Sequence, residues 1–524
     1  MSISEEKKKT ISVTSLALSA NLAGKIISIP TGIVIASILG PEDYGLLAIV
    51  TLIIQYLSYL NLGFLTNITR EVPIAYGRGD LDEVKTVYST VFTNFTLTTI
   101  FGIIILGFAY LLGYDFGGEI QPIHFLLIVL IKIAAYLDSY FRTYVKGEGK
   151  FIIFGQYELV NRIILPILTL VLVYFYHLEG MLISIVLSHV VGTVFSWVRL
   201  GKPIVQFKIN YTKTLELMRT GNLMFLNKVI DGIFISIGLI MAGVFLQKVD
   251  VGLLSFSLVI ASVKKVPGIG IFNVIIGRKM GIEYGKLGMD DHSAFSKFFS
   301  SHLILYSMLL TTLMGLLVIL YSFSVKIFLH KFTLSLPIFI ILYFAVNFYN
   351  IRHIVYQYFN ITRQMNRRSI ILIVGVFVNG LFSYISIQLG YGIIGIAVSI
   401  SMAFLVISVN SIFITFNQVF PRSAKKYIFL VKLTLISGFL TGILYLFADF
   451  MFFEYIPDPK IFGEMVIATL DFGLKLVIFS TLSVSSYILL FWSDKIHNEI
   501  WNIIVYVMDA LYIKFKREKY VAEV

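Results

Sequence analysis

A chain of 524 residues that is 57% hydrophobic and 14% charged, with mean hydropathy +0.87, lies far outside the soluble range of roughly 45–50% apolar and about 25% charged. It reads as an integral membrane protein, so the formal net charge of +12, which would suggest nucleic acid in a soluble chain, reports membrane topology instead. No cysteine occurs, which excludes a disulfide framework, a thiol nucleophile and a Cys-based metal site.

The N-terminus carries Lys7, Lys8 and Lys9 ahead of an apolar run that continues to Leu39, long enough to cross a bilayer, so it is read as the first span and not as a cleaved signal. Apolar runs bounded by Gly, Pro and charge clusters then give spans near 12–38, 44–68, 86–113, 121–144, 151–176, 180–199, 216–246, 250–277, 298–322, 334–360, 369–388, 391–416, 427–449 and 461–492. The predicted fold class is an all-α polytopic membrane protein with about fourteen transmembrane helices.

The loops alternate in charge. One set holds about 29 Lys and Arg, while the opposite set holds Lys248, Lys326, Lys331 and Lys460. That asymmetry places both termini in the cytoplasm and argues for an even number of spans.

A short motif repeats. Asp43-Tyr44-Gly45-Leu46-Leu47 and Asp250-Val251-Gly252-Leu253-Leu254 each open an apolar run, and Tyr76-Gly77-Arg78 is echoed by Tyr284-Gly285-Lys286 at nearly the same offset. Asn161 and Asn379 add a weaker echo. The reading is two like-oriented six-helix lobes, residues 1–205 and 206–420, followed by two extra helices in 421–493. Residues 494–524 read as a basic tail in which Ile496, Ile500, Ile503, Ile504, Val507 and Leu511 share one helical face. Such a helix lies on the cytoplasmic leaflet or packs back on the loops; the pattern fits both.

Ionisable residues inside spans are costly and normally face an interior or a wet cavity. Lys25, Lys132, Arg162, Lys228 and Lys264 come out near mid-span, with Lys265 beside the last. Lys25 precedes Asp43 by eighteen residues and Lys228 precedes Asp250 by twenty-two, a difference of about one helical turn, which sets both on the same face of equivalent helices. Acidic residues at similar depth are Glu158 and Asp231, with Asp138 nearer the cytoplasmic end of its span. Glu158 is four residues from Arg162 and Asp231 three from Lys228, so each pair shares a helix face and either neutralises itself or serves ion coupling. The surplus of positive charge suits an anionic ligand such as a phosphate or pyrophosphate. Snorkelling to the interface suits Lys432, Lys475 and Arg352.

Pro30, Pro166 and Pro267 fall in mid-span, as hinges or as static kinks. No P-loop, His-x-x-x-His or Gly-x-Ser-x-Gly occurs, and the external loops are short, so no catalytic domain and no cofactor are expected.

The first 80 residues, with Asn21 and Lys25 in the first span, then Leu39-Gly-Pro-Glu-Asp-Tyr-Gly-Leu-Leu47, Asn61-Leu62-Gly63, Arg70-Glu71 and Tyr76-Gly77, resemble the polysaccharide transporter family. These are the flippases of lipid-linked oligosaccharides in the multidrug/oligosaccharidyl-lipid/polysaccharide exporter superfamily. The resemblance implies two six-helix lobes around a central cavity, two extra helices, and alternating access that moves a polyprenyl-phosphate- or pyrophosphate-linked glycan across the cytoplasmic membrane. It also implies cationic cavity residues, a role that Lys25 and Lys228 match by position. Expected partners are the anionic lipid-linked glycan, membrane lipids, H⁺ or Na⁺, and other glycan-assembly membrane proteins, with no nucleic acid. The alternatives are a cation-coupled multidrug or metabolite exporter of the same superfamily, and a polytopic glycan polymerase or glycosyltransferase.

Overall fold

The structure, a computed structural model, describes residues 3–113, 120–201, 203–261, 280, 292–362, 364–419, 425–449 and 461–491. Among these the chain is helical: α1 Ile3–Tyr59, α2 Phe64–Arg78, α3 Leu81–Leu111, α4 Pro122–Gly147, α5 Phe151–Leu159, a π-helical turn Val160–Ile164, α6 Leu165–Leu200, α7 Tyr211–Phe245 and α8 Lys248–Ala261. There follow α9 His292–Ile327, α10 Ser335–Ile361, α11 Met365–Gln388, α12 Gly392–Val419, α13 Lys425–Asp449 and α14 Ile461–Leu490.

Helix lengths restore the predicted number of spans. Eleven described segments are long and apolar enough to cross a membrane. At about 1.5 Å per residue, however, α1 is roughly 85 Å long, far more than the about 30 Å of a hydrocarbon core, so it must cross twice. It bends at Gly40 (φ 72°, ψ 174°), a conformation that suits glycine. The α5–α6 stretch bends likewise at His177 (φ 46°, ψ −124°). With α8 counted as one more, the described helices fit about fourteen crossings. Pro30 lies inside continuous helix and Pro166 directly follows the π turn, while Pro267 is outside the described residues.

One boundary differs from the sequence reading. The second span was expected to run to residue 68, but the helix stops at Tyr59 and the chain turns at Leu62 (φ 48°) and Gly63 (φ 75°). A separate helix, α2, then buries Phe64, Ile68, Val72 and Ala75, spaced four, four and three apart on one face. Each of the larger side chains is worth about 1.5–3 kcal/mol relative to exposure to water. Gly79 ends the helix in the left-handed conformation, and Asp80 caps α3 by accepting from the Glu83 amide at 2.9 Å.

The chain forms two compact units: residues 1–268, 324–338 and 372–403, and residues 269–323, 339–371 and 404–524. The first has two apolar clusters. One, at the Lys/Arg-rich ends of its helices, joins Phe64, Ile68 and Val72 to Val84, Val87 and Val91 of α3, Tyr140 and Tyr144 of α4, and Leu217 of α7. The other joins Leu39, Leu46, Leu47 and Val50 of α1 to Ile128 and Ile131 of α4 and Leu178 and Leu182 of α6.

In the second unit, the buried Tyr487 hydroxyl lies 2.7 Å from Ser307 Oγ and 2.9 Å from Thr311 Oγ1, and Phe479 packs on Gly315. Lys475 does not snorkel. It is 6% exposed, pairs with Asp471 at 2.7 Å and donates to the Phe447 carbonyl at 3.0 Å. Arg352 is likewise buried, its guanidinium 3.6 Å from the Tyr349 ring centroid. The tail from 494 onward lies outside the described residues.

Candidate functional site

The repeated motif marks one feature of the first unit. Both copies open helical segments, the part of α1 beyond Gly40 and the start of α8, and these pack directly on one another. A β-carbon on Gly45 would collide with the Lys248 carbonyl, and one on Gly252 with the Pro41 carbonyl. Tyr44 closes the crossing with edge contacts to Phe256 and Phe332, at centroid distances of 5.4 and 6.0 Å. Ser257 donates to the Ser335 carbonyl and Ser37 to the Phe328 carbonyl. This seam lies at the end of the helices where Lys and Arg are few. At the other end α7 is tied to α2 and α3: Asn67 donates to the Leu217 carbonyl, Asn94 to Thr214, and Lys213 pairs with Glu83 and, at 2.8 Å, with Glu216. Burial works against the Lys213 charge, but Glu216 and Glu83 together hold its pKa above the ordinary lysine value.

Three polar groups sit between these ends. On the π turn, Arg162 reaches back to Glu158 at 2.7 Å, the pairing expected from their spacing. Gly24 of α1 lies against the Arg162 side chain, with no room for a β-carbon at 2.7 Å. Lys25 is the next residue of α1, and its side chain is outside the described set.

The second group is built on Asp138, which is 1% exposed. Its carboxylate accepts from the Tyr157 hydroxyl at 2.9 and 3.1 Å and lies 2.9 Å from Nδ1 of His189. Gly192 leaves the space for this, since a β-carbon there would press on both Asp138 and Tyr157. The third group joins α1 to α7. Tyr56 and Ser236 hydroxyls are 2.7 Å apart, Gln55 donates to the Tyr59 hydroxyl at 2.8 Å, and Gly232 lies beneath that hydroxyl, with Asp231 close enough to interact with it.

The predicted cations divide. Lys132 is buried at 4% exposure and has no ion pair or hydrogen-bond partner among the described residues. Lys228 is exposed and likewise unpaired among them, so the expected pairing with Asp231 does not form. Lys264 and Lys265 lie outside the described residues. No group of three His, Cys, Asp or Glu side chains able to hold a metal occurs among the described residues. The sequence reading missed His189, Tyr157 and the Gln55–Tyr56–Tyr59 group. A lone histidine midway along the sixth span was the available signal for the first.

Residues 11–267 match the family described as polysaccharide biosynthesis proteins. The matched stretch is just under half of the chain and supports its assignment to the polysaccharide transporter family. Structural likeness extends further along it. "Lipid II flippase MurJ, inward closed conformation" is similar with TM-score 0.62 and 15% identity, covering 90% of this chain and 98% of that one. An inward-facing multidrug resistance MATE family transporter of the MOP superfamily gives TM-score 0.62 at 14% identity, covering 77% and 97%. The MATE transporter VcmN of Vibrio cholerae, in a mutant form, gives 0.50 at 13%, covering 81% and 99%. No curated protein matches in sequence. At these identities the likeness establishes the MurJ/MATE-type fold, and the repeat motif and the Arg162 and Asp138 groups lie within the matched residues 11–267.

Proposed function

We propose that this MOP-type protein is a flippase that carries a polyprenyl-phosphate- or pyrophosphate-linked oligosaccharide across the cytoplasmic membrane by alternating access, with both termini in the cytoplasm, and that it catalyses no bond-making or bond-breaking. The observation that carries the reading is the pair of mid-helix cations, Lys132 and Lys228, that lack an ion pair among the described residues. An unpaired ammonium within a membrane span is a costly group that an anionic headgroup would neutralise. Lys25, Arg162, Lys264 and Lys265 belong to the same set by position, with the lobes 1–205 and 206–420 on either side and the prenyl tail left in the bilayer. A cationic drug would meet repulsion from these groups, which disfavours the multidrug exporter.

Reconstituted protein should move a fluorescent lipid-linked glycan between leaflets, and the Lys25→Ala/Lys228→Ala double variant should be folded but inactive. Normal flipping by that variant would remove both residues from the binding role. Drug efflux in place of glycan flipping would favour the exporter.

A further inference from the structure

The Asp138 group is not used by a flippase that merely holds an anion, yet it is the most elaborated polar cluster in the first unit. Three helical segments contribute to it: Asp138 from α4, Tyr157 from α5 and His189 from α6. His189 lies eleven residues from either end of the Leu178–Leu200 part of α6, about 16 Å along the helix from each.

Its hydrogen bonds determine what it can bind. Both carboxylate oxygens face donors, the tyrosine O–H and, in the tautomer that the contact requires, the imidazole Nδ1–H. A hard cation needs several oxygen lone pairs converging on one point, and here the strongest oxygens are occupied by hydrogens. The basic position left over is Nε2 of His189. Its side chain is 26% exposed against 1% for Asp138, so of the two it is the one open to the surroundings. Proton binding forms one Nε2–H bond at the expense of a hydronium O–H bond, and the imidazolium remains held by the carboxylate. The pair passes from net −1 to neutral.

Several charged groups flank the site. From α4, Arg142 lies 5.9 Å from the Tyr157 ring centroid, and Lys146, a turn further on, lies over Phe154. From α5 and the π turn come Glu158, already paired to Arg162, and the neutral Asn161. The remaining ionisable groups with described side chains include Lys132 of α4, buried six residues before Asp138, and groups nearer the ends of the unit, among them Asp43, His124 and Glu179 at one end and Glu71, Glu83 and Glu148 at the other.

Tyr157 connects the pair to the π turn. It lies three residues before the π turn, which carries Arg162 against Gly24 of α1. We propose that His189, held by Asp138, is the coupling site of this transporter, that the ion it takes is a proton, and that its charge acts on α1 through Tyr157 and the π turn. The functional readout rests on the flippase reading above; the local switch does not.

The test uses His189→Asn, whose side-chain amide can replace the Nδ1–H donor but cannot take a proton. In proteoliposomes a pH step of one unit should change the wild-type flipping rate several-fold and leave that of H189N unchanged, while a sodium gradient has no effect on either. A wild-type rate indifferent to the pH step, an H189N rate that still responds, or drive by sodium overturns the proposal. If no glycan is flipped, it is the substrate reading that fails, and amide exchange decides the rest. Corrected exchange of residues 157–165 should differ several-fold between pH 6 and pH 8 in wild type and be equal in H189N. Equal exchange in wild type overturns the switch.

Discussion

Gly45 and Gly252 stand in the same relation to each other's segment. Each lies against the carbonyl two residues ahead of the other motif's aspartate, Lys248 for the first and Pro41 for the second. The repeated motif is thus a contact with its own copy. The obstructing atoms are backbone, so an added methyl cannot be accommodated by rotating a side chain, and overpacking of this kind costs about 1–3 kcal/mol. In a two-state transporter that is a roughly 5- to 150-fold change in the population with the seam closed. Gly45→Ala or Gly252→Ala should therefore expose this end. The natural chain has no cysteine, so a single Ser257→Cys reporter at the seam can be labelled with an impermeant maleimide. Labelling at least five-fold faster in either glycine variant is expected, and the two effects should not add, because the residues share one contact.

Local order was legible in the sequence and pairing across the fold was not. The Glu158–Arg162 pair follows from spacing on one helix. So does the number of crossings, because apolar length is a local property. That the two Asp-x-Gly-Leu-Leu copies meet is a tertiary fact, set where two turns place two helix starts at one end of the unit. Asp138 showed its depth but not its partners, since His189 is 51 residues away and no periodicity links them. The end of α1 at Tyr59 was hidden because Asn61-Leu62-Gly63 is short and apolar residues continue on both sides. Only the positive φ of Leu62 and Gly63 separates a span from the amphipathic α2.

Lys132 separates a binding role from a structural one. A buried ammonium with no partner among the described residues opposes folding, so Lys132→Met, which keeps the stem volume and removes the charge, should leave Tm unchanged or raise it by a few degrees. Flipping of an anionic lipid-linked glycan should nonetheless fall at least tenfold. A loss of Tm without loss of flipping would place the lysine in the packing and not in the substrate path.

Lys475 and Asp471 behave in the opposite way. Both are nearly buried in α14 and 2.7 Å apart, and the lysine also satisfies the Phe447 carbonyl of α13. Asp471→Asn takes the carboxylate from a buried ammonium and should destabilise the fold by about 3–5 kcal/mol. The double variant Asp471→Leu/Lys475→Met removes both charges and should recover most of that loss. Thermal unfolding in detergent of the wild type, the single variant and the double variant measures the coupling.

The Lys213 pair gives a pH dependence of definite sign. Burial alone would weaken the lysine's charge, but Glu216 and Glu83 raise its pKa in the folded protein above the ordinary value of 10.5. A raised basic pKa means that the folded state holds its proton more tightly than the unfolded chain does. The stabilisation is therefore fully present from the pH at which both glutamates are ionised up to about 10.5, and declines as pH climbs through the folded value. Both glutamates are partly exposed, so the contribution is on the order of 1 kcal/mol. Lys213→Met should lower Tm by a nearly constant amount between pH 7 and about pH 10, with the gap closing above that. A gap that widened with rising pH would mean that the two glutamates do not hold this lysine in its charged form.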